Sequence, residues 1–170
     1  MESIEKRIQR LEDRFSINDL VAQYFMSVDV DDYDVVGSLF CEDSEFSAGG
    51  FPGACGRQEI VNFLRESRNH MAETLHTANA LVVHFDSENV AHGTLSAHVE
   101  LGMAGETYYG AVRYLDEYEK CGDHWKFKKR DMRVVHVAPW SEVGKSMIDV
   151  NRVKWPGIEA LPSDYPRKDR

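Results

Sequence analysis

Between Ser3 and Val28 the apolar residues recur in steps of three and four: Ile4, Ile8, Leu11, Phe15, then Leu20, Val21, Tyr24, Phe25 and Val28. That period predicts a helix with one buried face. Ser16, with Asp19 three positions on, is set as in a capping box, which predicts a second helical piece and a kink near Phe15–Ser16. Asp29-Val30-Asp31-Asp32 interrupts the period. Tyr33 to Phe40 reads as a short helix carrying Val35, Val36, Leu39 and Phe40. Ser44 to Ser47 predicts a short strand, and the breaker-rich Gly49 to Gly53 a loop. A third helix is expected from Arg57 to Ala72, burying Ile60, Val61 and Leu64.

After His76 the period falls to two. Leu81 to Phe85 is a β-branched strand, and Asp86 to Asn89 a turn. In Val90 to Leu101 the side chains of Leu95, Ala97, Val99 and Leu101 share one face, and Thr94, Ser96, His98 and Glu100 the other. Thr107 to Glu119 and His124 to Val137 are the next strands, joined by turns at Met103-Ala104-Gly105 and Cys121-Gly122-Asp123. Helices first and a strand meander last is an α+β pattern. It predicts N-terminal helices packed on a curved antiparallel sheet, with a pocket between the layers. Residues 1–140 read as this domain. Residues 141–170 read as a tail packing on the domain or on a neighbouring subunit. With Trp140 just before it, the tail carries Met147, Ile148, Val153 and Trp155 with little periodicity, and such residues need a surface to cover.

Composition narrows the function. The net charge of −9 argues against a nucleic-acid partner. The local cluster Lys126, Lys128, Lys129, Arg130 alternates across a strand and reads as a solvated strand edge. Three cysteines, Cys41, Cys55 and Cys121, form no C-x-x-C pair and point to a reducing compartment. With no signal core and no membrane-spanning run, the expected location is cytoplasmic and no membrane partner is expected. There is no phosphate loop, dinucleotide fingerprint, G-x-S-x-G or H-E-x-x-H, and no histidine pair at metal-ligand spacing on one element. What remains is acid–base chemistry by side chains, without metal or cofactor.

Two residues stand out because each lies where an element ends. Asp29 follows the long helix on the side of Tyr24, Phe25 and Val28; it can equally be a cap for the Tyr33 helix. His76 opens the strand whose alternating partners are Ala78, Ala80 and Val82; it can equally be a rim histidine. Together they could form a dyad in which the carboxylate orients the imidazole and raises its basicity.

Leu20-Val21-Ala22-Gln23-Tyr24-Phe25, then Asp29, then Leu39-Phe40-Cys41-Glu42-Asp43-Ser44 resembles the opening of SnoaL-like members of the nuclear transport factor 2-like superfamily. The likeness continues in Gly56-Arg57-Gln58-Glu59-Ile60, His76-Thr77, Asp116 to Glu119 and Trp125-Lys126-Phe127, so it spans about Ile4 to Val137. Within that superfamily the chain is most similar to the scytalone dehydratases, bile-acid 7α-dehydratases and hexachlorocyclohexane dehydrochlorinases. The resemblance implies a cone-shaped α+β barrel, a trimer or otherwise a dimer, and a cofactor-independent lyase acting on a small hydrophobic, aromatic or alicyclic molecule. It implies His76 and Asp29 as the dyad, with Tyr24 and Arg130 stabilising charge on the substrate. Phe25, Val28, Leu95, Val99 and Tyr114 are then the apolar walls. The dehydratases place a polar residue, Asp or His, where this chain has Val99; unless a bulge shifts the register, His98 and Glu100 point away, which tells against dehydration of an alcohol and leaves other eliminations or carbon–carbon cleavage by the same dyad open. Two other readings stay open: a non-catalytic binding protein for the same ligands, and an accessory subunit resembling the small subunit of ring-hydroxylating dioxygenases.

Overall fold

The structure, a computed structural model, describes residues 3–49 and 51–165. Helix α1 runs unbroken from Ile4 to Asp29. The expected second helical piece does not start at Ser16, which lies inside the continuous helix and donates its hydroxyl to the Glu12 carbonyl at 2.9 Å. Nor does one buried face extend along the whole helix. The later turns bury Ile17, Leu20, Val21, Tyr24, Phe25 and Val28, whereas Ile4, Ile8, Leu11 and Phe15 stay exposed.

Helix α2, Tyr33–Ser38, is capped by Asp32, whose carboxylate accepts the Val35 N–H at 3.2 Å. Asp29 is therefore not that helix's cap. Phe40, expected at the end of α2, instead begins strand β1 (Phe40–Ala48), which pairs with β2 (Phe51–Cys55). A short strand and a loop were expected here. The Gly- and Pro-rich sequence hid the hairpin, and β2 tolerates Pro52 because it lies at the sheet edge. Helix α3 covers Arg57–Arg68, stopping before the expected Ala72, and buries Ile60, Val61 and Leu64 as its period requires.

Four long strands follow: β3 (Thr74–Phe85), β4 (Val90–Met103), β5 (Glu106–Cys121) and β6 (His124–Pro139). The β4–β5 hairpin turns through Ala104 and Gly105, both at positive φ, the conformation that a two-residue loop between twisted strands needs. The sheet order is β2-β1-β6-β5-β4-β3. All neighbours are antiparallel except β1 and β6, which run parallel. The sheet curves around the helices without closing, so the cone is open between β2 and β3. Strand β6 is an inner strand, which corrects the reading of the basic cluster as a strand edge; Arg130 is fully buried.

Strand β3 departs from simple alternation. Ala78 pairs with Ala97 but Ala80 pairs with Ser96, which leaves Asn79 as an extra residue in a bulge. Ala80 and Val82 therefore leave the face that carries His76, and Leu81 and Val83 take their place opposite Leu95 and Gly93. Strand β4 pairs with β5 in unbroken register from Val90 to Met103, so Val99 stays inward and His98 and Glu100 outward.

After β6 a single 3-10 turn and the short helix α4 (Val143–Ser146) lead into an extended segment. Val153 bridges both Val137 and Leu161. Trp155 is buried with its ring 5.7 Å from that of Phe51. Val153 and Trp155 thus cover the chain's own domain, while Trp140, Met147 and Ile148 remain exposed. Among the described residues no helix is long and apolar enough to cross a membrane.

Candidate active site

A cavity of about 490 Å³ lies between the helices and the inner face of the sheet. Val99, Leu101, Val112 and Met132 supply its sheet side, Phe46 and Phe51 one flank, and Phe63 and Leu64 of α3 another. Trp155, Pro156 and Ile158 of the tail complete the wall. The lining is mostly apolar, with Glu66, Ser67, Arg68 and His70 as its polar border.

Asp29 and His76 meet at this wall. α1 ends at Asp29 and β3 starts two residues before His76, so the helix end and the strand end converge. Asp29 Oδ1 lies 2.6 Å from His76 Nδ1, and Asp29 Oδ2 accepts the backbone N–H of His76 at 2.8 Å. Thr74, on the same face of β3, donates its hydroxyl to Oδ1 at 2.8 Å. Burial raises the pKa of Asp29. The bonds from His76 and Thr74 and the His76 charge outweigh it, and the net pKa is lowered. Asp29 is thus an anion near neutral pH, and it takes a proton-bearing Nδ1 as donor. That leaves Nε2 as the basic nitrogen of the ring. Phe25 stacks on the imidazole at 5.2 Å and 24° and fixes its plane.

The other residues singled out from the sequence fall into two layers. Tyr24, Val28, Val99 and Tyr114 line the cavity, and Val99 is the direct cross-strand partner of His76. Phe25, Leu95 and Arg130 do not line it. Phe25 and Leu95 are buried beneath the lining, Phe25 because it backs the His76 ring. The Arg130 guanidinium lies 4.1 Å from the centre of the Tyr114 ring and 4.3 Å from that of Tyr24, with Phe127 and Phe25 also around it. Its carboxylate neighbour Asp116 is 3.7 Å away, and no Arg130 nitrogen has a hydrogen-bond partner among the described residues. The tyrosine rings therefore stand between Arg130 and the cavity, so its charge acts through them and not by contact.

Burial dominates the electrostatics of this layer. It pushes the Tyr24 phenol up to about 12, against the opposing effect of Arg130. It raises Tyr114 as well, again against Arg130. Both phenols are neutral donors at physiological pH. Asp116 is pushed up to about 6 by burial, which Arg130 and the hydrogen bond from Tyr118 only partly offset.

Sequence reasoning missed Thr74, although its place two residues before His76 on a strand puts it on the same face. It also missed Arg68 and the aromatic contributors Phe46, Phe63 and Trp155. Arg68 borders the cavity and grips Asp31 through Nε at 2.7 Å and Nη2 at 3.3 Å. These come from elements whose packing no period in the sequence announces. Among the described residues no group of three or more His, Cys, Asp or Glu is set to hold a metal ion.

The architecture recurs in solved structures. LinA superposes with a TM-score of 0.77 at 21% identity, over 81% of this chain and 95% of that one. A scytalone dehydratase-like protein from Novosphingobium aromaticivorans also gives 0.77, at 20% identity, over 95% and 99%. A hexachlorocyclohexane dehydrochlorinase, LinA-type3 from Novosphingobium barchaimii, gives 0.76 at 21%, over 81% and 96%. Identities this low establish a common fold. No curated protein sequence matches the chain. The model of the SnoaL-like domain matches residues 9–131, most of the chain, and with the open α+β cone it places this protein in the SnoaL-like domain family.

Proposed function

We propose that the protein is a cofactor-independent lyase in which His76 Nε2 takes a proton from a carbon of a small hydrophobic, aromatic or alicyclic substrate. The observation that carries this reading is the Asp29–His76 pair, bonded at 2.6 Å, with His76 in the wall of a mostly apolar cavity. The electrons of the broken C–H bond form a carbon–carbon double bond, and the leaving group departs with the electrons of its own bond. His76 then carries the proton as an imidazolium, stabilised by Asp29. Tyr24 and Tyr114 offer neutral phenol donors to charge that builds up on the substrate, with the Arg130 charge behind their rings.

The chemistry opposite His76 narrows the leaving group. Val99 faces the cavity there, and neither His98 nor Glu100 can turn inward in the unbroken β4 register. No acid on β4 protonates a departing hydroxide, so the reading favours a weakly basic leaving group or one expelled from a carbonyl-stabilised carbanion. Among the structural neighbours, the dehydrochlorinase and the scytalone dehydratase-like protein support an elimination of this general kind.

The test is turnover of a panel of halogenated alicyclic compounds and cyclic β-substituted ketones, followed by mass spectrometry of the products. An enzyme converts at least one panel member, and His76→Gln loses at least about 100-fold in rate while keeping ligand affinity. If the wild type binds panel members and converts none, the lyase reading fails and the cavity is that of a binding protein.

A further inference from the structure

Along the first half of α1, Ile4, Ile8, Leu11 and Phe15 are between 49% and 69% exposed. Scattered exposed apolar residues are ordinary on a protein surface. These four are not scattered: their spacing of four, three and four places them in a single stripe. The stripe faces away from Asp13, Ile17 and Leu20, the buried residues that dock the helix on its own sheet.

The spacing is that of a heptad seam, with Ile8 and Phe15 at a positions and Ile4 and Leu11 at d. The flanking charges are sorted. The e positions are Glu5, Glu12 and Asp19, all acidic, and the g positions before Phe15's turn are Arg7 and Arg14, both basic.

We propose that α1 is a dimerisation helix, and that a second copy of this chain packs its own α1 against the seam, parallel and in register. The charges fix both the partner and the direction. In a parallel pair each g residue faces the e residue of the next heptad across the seam, which sets Arg7 against the partner's Glu12 and Arg14 against the partner's Asp19. In an antiparallel pair g faces g and e faces e, and like charges meet. The proposed pair sets two subunits against the three that family likeness implies, and the mass in solution decides between them.

Two heptads are too short to hold a free helix in water. Here the helix is already ordered by its own domain. Arg10 lies 4.3 Å over the Phe85 ring, Arg14 donates to the Val83 carbonyl at 3.1 Å, and Asp13 bonds Lys120 and Trp125. Because Arg14 has that bond, the pairing of Arg7 with Glu12 carries most of the charge selectivity.

Light scattering and sedimentation at about 10–100 µM test the proposal. The expected mass is twice that of the 19.4 kDa chain. Leu11→Glu, at a site 57% exposed and therefore harmless to the fold, yields a monomer with unchanged circular dichroism. Arg7→Glu weakens the dimer at least about tenfold, and Arg7→Glu with Glu12→Arg restores it. In a Cys55→Ser background, Leu11→Cys forms a covalent dimer with glutathione disulfide, because only in a parallel pair does position 11 meet itself. A monomeric or trimeric wild type, a dimer that survives Leu11→Glu, or a dimer tightened by Arg7→Glu overturns the proposal.

Discussion

Asp29 holds His76 at two points, its Oδ1 on the ring at 2.6 Å and its Oδ2 on the same residue's backbone N–H at 2.8 Å. The carboxylate therefore fixes both the strand end and the ring that the strand carries. In Asp29→Asn the charge that supports the imidazolium is gone, and the amide cannot accept on both sides. Turnover is expected to fall by about 100-fold or more, with a stability loss of only about 1–2 kcal/mol. If turnover stays within a factor of about three of wild type, the dyad is abandoned. The stability loss depends on pH. The folded pKa of Asp29 lies below its ordinary 3.8, so its stabilisation is complete above that value and disappears as pH falls through the lower folded one. Melting temperatures of wild type and Asp29→Asn should differ at pH 7 and converge as the pH falls below about 3.8.

The Tyr24 phenol, pushed up to about 12, should remain a proton donor throughout the working range. Ultraviolet titration of wild type and Tyr24→Phe should give superimposable phenolate curves to about pH 10.5, with the missing absorbance appearing only above that. Removing the hydroxyl should lower the rate by about 10–100-fold and leave ligand affinity nearly unchanged, because the bond matters most when charge develops. A Tyr24→Phe variant with full activity would leave Tyr24 as wall alone.

Asp116 shows the opposite sign from Asp29. Burial raises its folded pKa from 3.8 to about 6. Its carboxylate sits 3.7 Å from Arg130 with no hydrogen bond between them, too loose a contact to repay the loss of water. A raised acid favours folding while protonated, so its contribution is present below about pH 4 and is lost as pH rises through about 6. A shift of this size corresponds to about 3 kcal/mol. Asp116→Asn should remove this slope between pH 4 and 6.5 and, because the amide buries no charge, should not lower stability at pH 7. An unchanged slope in Asp116→Asn would assign it to another group, and its absence from the wild type would mean that Arg130 and Asp116 pair more closely in solution.

Arg68 joins α3 to the turn after α1. It bonds Asp31, which is held at a φ of +60°, and its Nη1 donates to the Ala72 carbonyl at 2.7 Å. Positive φ is strained for a residue with a side chain, so the turn depends on such anchors. Arg68→Ala should loosen this border of the cavity and raise KM by about threefold to tenfold with kcat within a factor of about two. A fall in kcat alone would instead give Arg68 a part in the chemical step.

Much of this architecture is legible in the sequence, and the failures have physical causes. The alternation of Leu95, Ala97, Val99 and Leu101 gave the inward face of β4 because nothing interrupts that strand's register. The same reasoning failed in β3, where the bulge at Asn79 reverses the facing of Ala80 and Val82 and no residue type marks it. Asp29 and His76 could be paired on paper because both end an element. The second layer could not: that Arg130 is fully buried behind two tyrosines follows from the curvature of the sheet, while its neighbours in sequence read as a basic surface. The period at Ile4, Ile8, Leu11 and Phe15 predicts a buried face, yet these residues are exposed, because a helical period shows that residues share a face, not what covers that face.

The bulge in β3 makes chain length, and not residue identity, the quantity that matters at Asn79. The asparagine side chain itself only reaches outward to His98 Nδ1, 2.7 Å away. Many residues could replace it. A chain one residue shorter here has no such freedom, because the two halves of β3 would then share one alternation. If Val83 kept its place in the core, His76 would be turned to the outer surface, away from Asp29. If His76 kept its place, Leu81 and Val83 would be turned to solvent. In this protein the spacing between residue 76 and residue 83 is as much a part of the site as the imidazole.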